Sequence, residues 1–237
     1  MEITLIRHAT LLIEVGGQRL LVDPMLDPSG ARPPVERTAN PVRNPTVELP
    51  LPAEEVVRGV DAVVVTHRHR DHLDETAERL LPRDVPVLCQ PEDEEALLAL
   101  GLDARPVADA LEWRGVRVAR TPGRHGTGAI AAALGPVSGF VLDDLYVAGD
   151  TVWYDGVEEA IATHRPRVAV VNAGSASFRE GDAITMTPAD VAEVAARVPV
   201  VVAVHLEAIN HCHGTRAELR GAVPGALVPE DGETLAL

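Results

Sequence analysis

Apolar residues fall along this chain in short, punctuated runs. Residues 2–6 (EITLI), 10–15 (TLLIEV) and 19–22 (RLLV) are strand-like, and Gly16-Gly17 between the second and third is a tight hairpin signal. Residues 62–65 (AVVV) and 200–204 (VVVAV) are unbroken β-branched runs of the length expected of buried strands. Further strands are predicted at 85–88, near 105–107, at 115–120 and at 167–171, with a hairpin over 137–148 turning at Asp143-Asp144. Helices are predicted at 53–58, 73–81 and 157–163. Another runs over 91–100, with Pro91 at its start, acids in its first turn and Gly101 after its end. Thr187-Pro188 opens a last helix that places Val191, Val194, Ala195 and Val198 on one face. Strands and helices mixed in this way describe a layered α/β protein.

One segment breaks the pattern. Residues 27–52 hold seven prolines and little apolar periodicity, so they form a long irregular stretch. Arg32, Arg37 and Arg43 balance Asp27, Glu36 and Glu48 within it. It is expected either to wall or cover a site and contribute substrate contacts, or to be a surface loop without a role.

Composition narrows the class. A chain of 237 residues with 46% hydrophobic residues can bury one sizeable core, so residues 1–237 are expected to form a single domain. Aromatics are only 3%, which leaves that core to Val, Leu, Ile and Ala. A formal charge of −15 opposes general affinity for nucleic acid or anionic membrane, so neither is an expected partner. No apolar stretch approaches a membrane span, and the opening Met1-Glu-Ile-Thr lacks the pattern of a signal peptide; a cytoplasmic protein is expected. Cys89 and Cys212 are too few for a disulfide framework and read as reduced thiols. The sequence leaves open whether the chain forms a homo-oligomer.

The chemistry is concentrated where the strand at 62–65 runs out, in Thr66-His67-Arg-His69-Arg-Asp71-His72. Imidazole and carboxylate are ligands that borderline-soft divalent metals prefer, and strand-end loops are where ligands bind in layered α/β proteins. On extended backbone His67 and His69 point to the same side and can reach one ion. Asp71 and His72, at the start of the next helix, lie on a different azimuth that suits a neighbouring ion. Elsewhere the local signals are ambiguous. Asp23 follows an apolar strand and fits either an acceptor behind a ligand histidine or a turn before Pro24. His8 sits in the turn between the first two strands, near a site or in a plain loop. His125 is a glycine-flanked histidine on a strand-end loop. Asp150 lies in a Gly-Asp turn after a strand, and Thr151, Trp153 and Tyr154 beside it are candidate pocket residues, although both aromatics also fit a core. The loop 172–177 and Thr185-Met186-Thr187 are candidates for the rim of a site. His205 leaves the strand at 200–204. The following His211-Cys212-His213 does not match structural zinc spacing; His211 reads instead as a group behind the ligands or facing substrate.

The motif His67-x-His69-x-Asp71-His72, with Thr66 before it and a strand leading in, is similar to the signature of the metallo-β-lactamase superfamily of binuclear metallohydrolases. The resemblance implies an aspartate after the N-terminal hairpin, matched by Asp23, and a lone downstream histidine, matched by His125. It also implies a metal-bridging Gly-Asp, matched by Asp150, and a histidine near the C-terminus, matched by His205. The implied ligand sets are His67, His69 and His125 for one ion and Asp71, His72 and His205 for the other, with Asp150 shared. The implied fold is a four-layer αββα sandwich, two mixed sheets flanked by helices, with the ligands on loops at one edge. Ile6-Arg-His-Ala-Thr10, Asp23-Pro-Met-Leu26, Gly149-Asp-Thr151 and Thr185-Met-Thr-Pro188 look most similar to the ascorbate-6-phosphate lactonase-like branch.

The implied activity is hydrolysis of a carbonyl centre, in a lactone or ester of a small molecule, by a water ionised between two divalent ions ~3.5–4 Å apart. Zinc is the expected metal, and manganese or iron suits the same ligands. Asp71 is the expected catalytic residue, orienting the water and moving its proton. The chain lacks the His-x-Glu-x-Asp pattern of diiron flavoproteins of that fold. Two other classes stay open: a phosphodiesterase or nuclease-like hydrolase of the same fold, disfavoured by charge, and a non-catalytic metal-binding protein.

Overall fold

The computed structural model describes residues 1–237. The first half of the chain supplies β1 (Glu2–Arg7), β2 (Thr10–Val15), β3 (Gln18–Val22), β4 (Ala62–Val65), β5 (Pro86–Cys89) and β6 (Asp103–Pro106). The second half supplies β7 (Ala110–Trp113), β8 (Val116–Pro122), β9 (Ser138–Leu142), β10 (Leu145–Val147), β11 (Val168–Asn172), β12 (Val200–Val204) and β13 (Thr234–Ala236). They form a 7-stranded sheet, β13-β1-β2-β3-β4-β5-β6, and a 6-stranded sheet, β12-β11-β10-β9-β8-β7. Both are mixed. Antiparallel hairpins β1-β2-β3 and β7-β8-β9-β10 give way to parallel strands β3-β4-β5-β6 and β10-β11-β12.

The period-2 alternation of side chains along a strand sorts the residues into layers. Leu20 and Val22 of β3, Ala62 and Val64 of β4, Val168 and Val170 of β11 and Val202 and Val204 of β12 meet in one core between the sheets. The intervening residues face outward. Leu21, Val63 and Val65 pack with Val56, Ala77 and Leu97 under α1 (Ala53–Val56), α2 (Glu75–Leu80) and α3 (Glu94–Ala99). On the opposite side, Ala169, Val171, Val201 and Ala203 pack with Val157, Ile161, Val191, Val194 and Leu219. These last come from α5 (Asp155–His164), α6 (Pro188–Ala195) and α7 (Arg216–Ala222), while α4 (Gly128–Leu134) buries no residue. The result is the expected four-layer αββα sandwich, with an aliphatic core that fits the scarcity of aromatics.

Several local expectations need correction. The helix expected over 73–81 starts at Glu75, and Asp71 and His72 precede it in a turn whose N–H groups at His72 and Leu73 both donate to the His69 carbonyl. Asp74 then caps α2 by accepting from the Ala77 N–H at 2.9 Å. The strands β7 and β13 and the helices α4 and α7 were not expected. β7 is a half-exposed edge strand and β13 a short one, so neither has an apolar run to mark it. α7 did have a marker, the Thr215-x-x-Glu218 capping box, which the structure shows formed in both directions.

Residues 27–52 are irregular, as expected, but they are fastened down. Buried Arg7 donates to the carbonyls of Met25 (2.7 Å), Asp27 (2.9 Å) and Val47 (3.0 Å). Its burial lowers the guanidinium pKa to about 10, which leaves it charged at neutral pH. Asn210, on the loop after β12, accepts from the Val35 N–H (2.9 Å) and Asn44 Nδ2 (2.7 Å) and donates to the Asn40 carbonyl (2.6 Å) and Thr38 Oγ1 (2.7 Å). The segment is therefore a fixed wall.

Candidate metal centre

Seven side chains converge where the C-terminal ends of both sheets' parallel strands meet. β4 delivers His67, and the turn beyond it delivers His69, Asp71 and His72. The loop after β8 delivers His125, the turn after β10 delivers Asp150, and the exit of β12 delivers His205. Gly149 adopts φ +66°, and a Cβ there would lie 2.7 Å from the Ser138 carbonyl, so only glycine brings Asp150 this close to β9.

The expected ligands divide into two groups that share one carboxylate. His67 Nε2 lies 3.0 Å from His69 Nδ1, and His125 Nε2 lies 3.4 Å from Asp150 Oδ2. Across the carboxylate, Asp150 Oδ1 is 3.4 Å from His72 Nε2 and 3.2 Å from His205 Nε2, which is 3.7 Å from Asp71 Oδ2. The His67, His69, His125 cluster and the Asp71, His72, His205 cluster each have donor atoms within 4.8 Å of one another, and His8 joins the second. Nε2 of His72 and of His205 are buried with no hydrogen-bond partner, although each faces carboxylate oxygens. Buried polar atoms are normally paired. Divalent cations bound by nitrogen and oxygen donors fit this arrangement, and all seven expected side chains are brought together.

The far side of each ring is also held, as metal-bound imidazoles require. His72 Nδ1 meets Asp23 Oδ2 at 2.8 Å, and Asp23 in turn accepts from the Thr66 N–H (2.8 Å) and hydroxyl (2.7 Å). Asp23 thus stands where an acceptor behind His72 was expected. His69 Nε2 meets the Leu134 carbonyl at 3.0 Å, and His125 Nδ1 meets the Ile184 carbonyl at 2.8 Å. His67 Nδ1 sits 3.0 Å from Thr66 Oγ1, and His205 Nδ1 faces Cys212 Sγ at 3.5 Å. Asn172, first residue of the polar loop after β11, donates to Asp150 Oδ1 at 2.6 Å.

Electrostatics prepares these groups as ligands. Burial drives the pKa of His67 and His205 well below the ordinary histidine value, the direction that favours a ring with a free lone pair. Burial opposes ionisation of Asp150, but the surrounding His205, His72 and His125 outweigh it and hold the carboxyl well below its usual range. Asp71 is likewise held ionised against burial, chiefly by the hydrogen bond from His8. His72 is pushed down by burial and pulled well above its usual value by Asp150 and Asp23, the response of an imidazole that faces two carboxylates where a cation belongs.

A cavity of about 220 Å³ opens onto this cluster, floored by His69, Asp71 and His125. Val35, Leu134, Phe178, Ile184 and Ile209 line its walls, and His211 reaches it stacked on Phe178 with ring centres 6.3 Å apart. Arg32 and Arg70 stand at its edge, paired with Asp27 (3.0 Å) and Glu78 (2.9 Å). The wall residues carry no chemical marker in sequence, and the Leu134 and Ile184 carbonyls could belong to any residue type.

Other candidates lie elsewhere. Trp153 packs beneath Arg197 and Tyr154 beneath Arg124, the latter donating to the Pro122 carbonyl at 3.1 Å, so neither lines the cavity. Thr151 accepts from the Arg124 N–H, Thr185 accepts from the Ala176 N–H, Met186 is core and Thr187 caps α6. None of residues 185–187 reaches the site; Ile184 before them and Asn172 of the other expected rim loop do. His213 is exposed, with its ring against the Ser177 carbonyl.

Fold and ligand geometry together define a metallo-β-lactamase-type metal centre, and residues 18–206 match the family model of the β-lactamase superfamily domain. The chain belongs to that superfamily and, within it, to the UPF0173 group of metal-dependent hydrolases. It is 36% identical to the UPF0173 protein YddR of Bacillus subtilis, over 99% of both chains. Among solved structures it is similar to an isothiocyanate hydrolase from Delia radicum gut bacteria (35% identity, TM-score 0.93, 100% of this chain and 99% of that one). A possible metal-dependent hydrolase of Veillonella parvula superposes with TM-score 0.95 at 35% identity, over 100% of this chain and 99% of that one. No helix of the structure is long and apolar enough to cross a membrane.

Proposed function

We propose that this protein is a binuclear hydrolase that adds water to an unsaturated carbon of a small, uncharged molecule with an apolar substituent. The apolar cavity floored by both groups of ligands carries this reading. Two divalent cations, zinc first and manganese or iron by the same donors, would supply a water ionised near neutral pH and positive charge opposite the departing atom. His67, His69 and His125 would hold one, Asp71, His72 and His205 the other, and Asp150 both.

The chain's own groups account for the rest. Val35, Leu134, Phe178, Ile184 and Ile209 seat the apolar substituent and exclude bulk water. Asp71, ionised and at the cavity floor, accepts the proton released on addition and returns it to the departing group. Both guanidinium groups at the edge are already paired with carboxylates, which weakens the attraction they would offer a phosphodiester.

The isothiocyanate hydrolase with the same fold acts on a heterocumulene. Its central carbon is attacked as a lactone or ester carbonyl is, so isothiocyanates are the first substrate class for this chain. The lactone and ester class rests on sequence likeness alone. A panel of phenethyl isothiocyanate, a γ-lactone, a p-nitrophenyl ester and bis-p-nitrophenyl phosphate, offered to metal-loaded protein, tests the reading. Turnover of the first, or of a carbonyl substrate, supports it. Turnover of the phosphodiester alone moves the protein to the nuclease-like class, and turnover of none leaves a metal-binding protein.

A further inference from the structure

His8 lies within the second group of donor atoms but is assigned to no ion above. Its side chain is fully buried, and Nε2 lies 3.3 Å from Asp71 Oδ2. Its ring centre is 3.6 Å from that of His205, and its carbonyl accepts the His205 N–H at 2.9 Å. It does this from φ +61°, a left-handed conformation that disfavours side chains, and the His205 it supports is itself at φ +68°. Its Nδ1 is buried without a partner.

Ligation and support can be separated by ring spacing. Two imidazoles bound end-on to one ion at ~2.0–2.1 Å, with at least a right angle between them, need ring centres roughly 4.5 Å apart or more. His72 and His205, 5.4 Å apart, satisfy this, but His8 and His205 at 3.6 Å do not. Stacked this closely, His8 supports the ring of His205 and does not share its ion. A carboxylate oxygen accepts, so the 3.3 Å contact with Asp71 Oδ2 is made by an N–H on His8 Nε2.

We propose that His8 is a positioning residue for the second cation: its Nε2–H fixes Asp71, its ring and carbonyl fix His205, and the second ion is held only while both are fixed. The proposal rests on the two-ion reading of the centre. His8→Gly removes the imidazole without backbone strain, since glycine accepts φ +61°, while His8→Gln keeps an amide N–H where Nε2 stands. Calorimetric titration of the metal-free proteins with Zn²⁺ is the test. Wild type is expected to bind two ions. His8→Gly should bind the first with unchanged affinity and the second about 10–100-fold more weakly, and His8→Gln should recover most of that loss. If His8→Gly does not fold, His8→Asn, which also tolerates positive φ, replaces it. Wild-type affinity for both ions in the glycine variant overturns the proposal. So does a glutamine variant as weak as glycine, which would make His8 a direct ligand. A wild type that binds one ion overturns the two-ion reading itself, and this inference with it.

Discussion

The two halves of the metal centre are held by different means. His69 and His125 are oriented by carbonyls, from Leu134 at the end of α4 and from Ile184, and both line the cavity. His72 and His205 are sealed from solvent and oriented by side chains, Asp23 behind one and Cys212 and His8 around the other. A carbonyl's position is set by the path of its loop, so two of the first half's three imidazoles depend on backbone that no single side-chain replacement removes, and only His67 leans on a side chain, the Thr66 hydroxyl at 3.0 Å. The second half depends on individual side chains and can be weakened by substitutions that touch no ligand. Both halves reach the cavity, the first through His69 and His125 and the second through Asp71 alone, while His72 and His205 stay behind it.

Removing the group both halves share should produce the largest effect. Asp150→Ala is expected to lose high-affinity binding of both ions, because its two oxygens face His125 on one side and His72 and His205 on the other. Hydrolysis of the responsive panel substrate should fall on the order of 10³-fold or more, since without metal the water returns toward a pKa of ~16. A variant that keeps one ion with wild-type affinity would show that Asp150 belongs to one half only. Metal analysis after gel filtration decides between them.

A smaller and one-sided loss is expected at Asp23. Asp23→Ala leaves His72 Nδ1 and the Thr66 N–H and hydroxyl without their acceptor in a fully buried site. Buried donors left unpaired cost about 1–3 kcal/mol of stability, which thermal unfolding of the metal-free protein would register. The second ion should bind about 10–100-fold more weakly and the first ion unchanged. Equal weakening of both would mean that the halves are mechanically coupled through Thr66, whose hydroxyl also sits 3.0 Å from His67 Nδ1.

The same contrast separates what the sequence made legible from what it did not. The seven side chains that converge were readable as candidate ligands, because metal chemistry restricts its donors to a few side chains and the motif from His67 to His72 anchors the rest by resemblance. The αββα layering was readable from strand runs such as 62–65 and 200–204, whose alternate residues divide between two cores. Acceptor carbonyls were not, since Leu134 and Ile184 hold their histidines through atoms common to all residues. Phe178 and Val35 became pocket walls only through long-range folding. Trp153 and Tyr154, conspicuous beside Asp150, took their alternative instead, packing half-buried against the core under α5 and α6 with arginines over their outer faces.

The smallest expected effect falls on the cavity side and leaves both ions alone. Asn210 links the loop that follows His205 to residues 35–44, and its side chain is saturated by them. Asn210→Ala removes the side-chain part of that link and leaves the Val35 N–H and the Asn44 amide without an acceptor, so Val35 loses its fixed place at the cavity while Asn44 keeps the Asn210 N–H and Arg32 keeps Asp27. None of the ligand imidazoles bonds to Asn210, so metal stoichiometry and both affinities should match wild type. KM for the responsive substrate should rise by roughly 3–10-fold with kcat within about 2-fold, as when an interaction made equally in ground and transition states is lost. Asn210→Asp keeps the acceptor for the Val35 N–H and should fall between. If kcat drops with KM unchanged, the wall formed by residues 27–52 acts on the reacting atoms and not on the apolar substituent, and the contrast between the two halves has to be redrawn to include it.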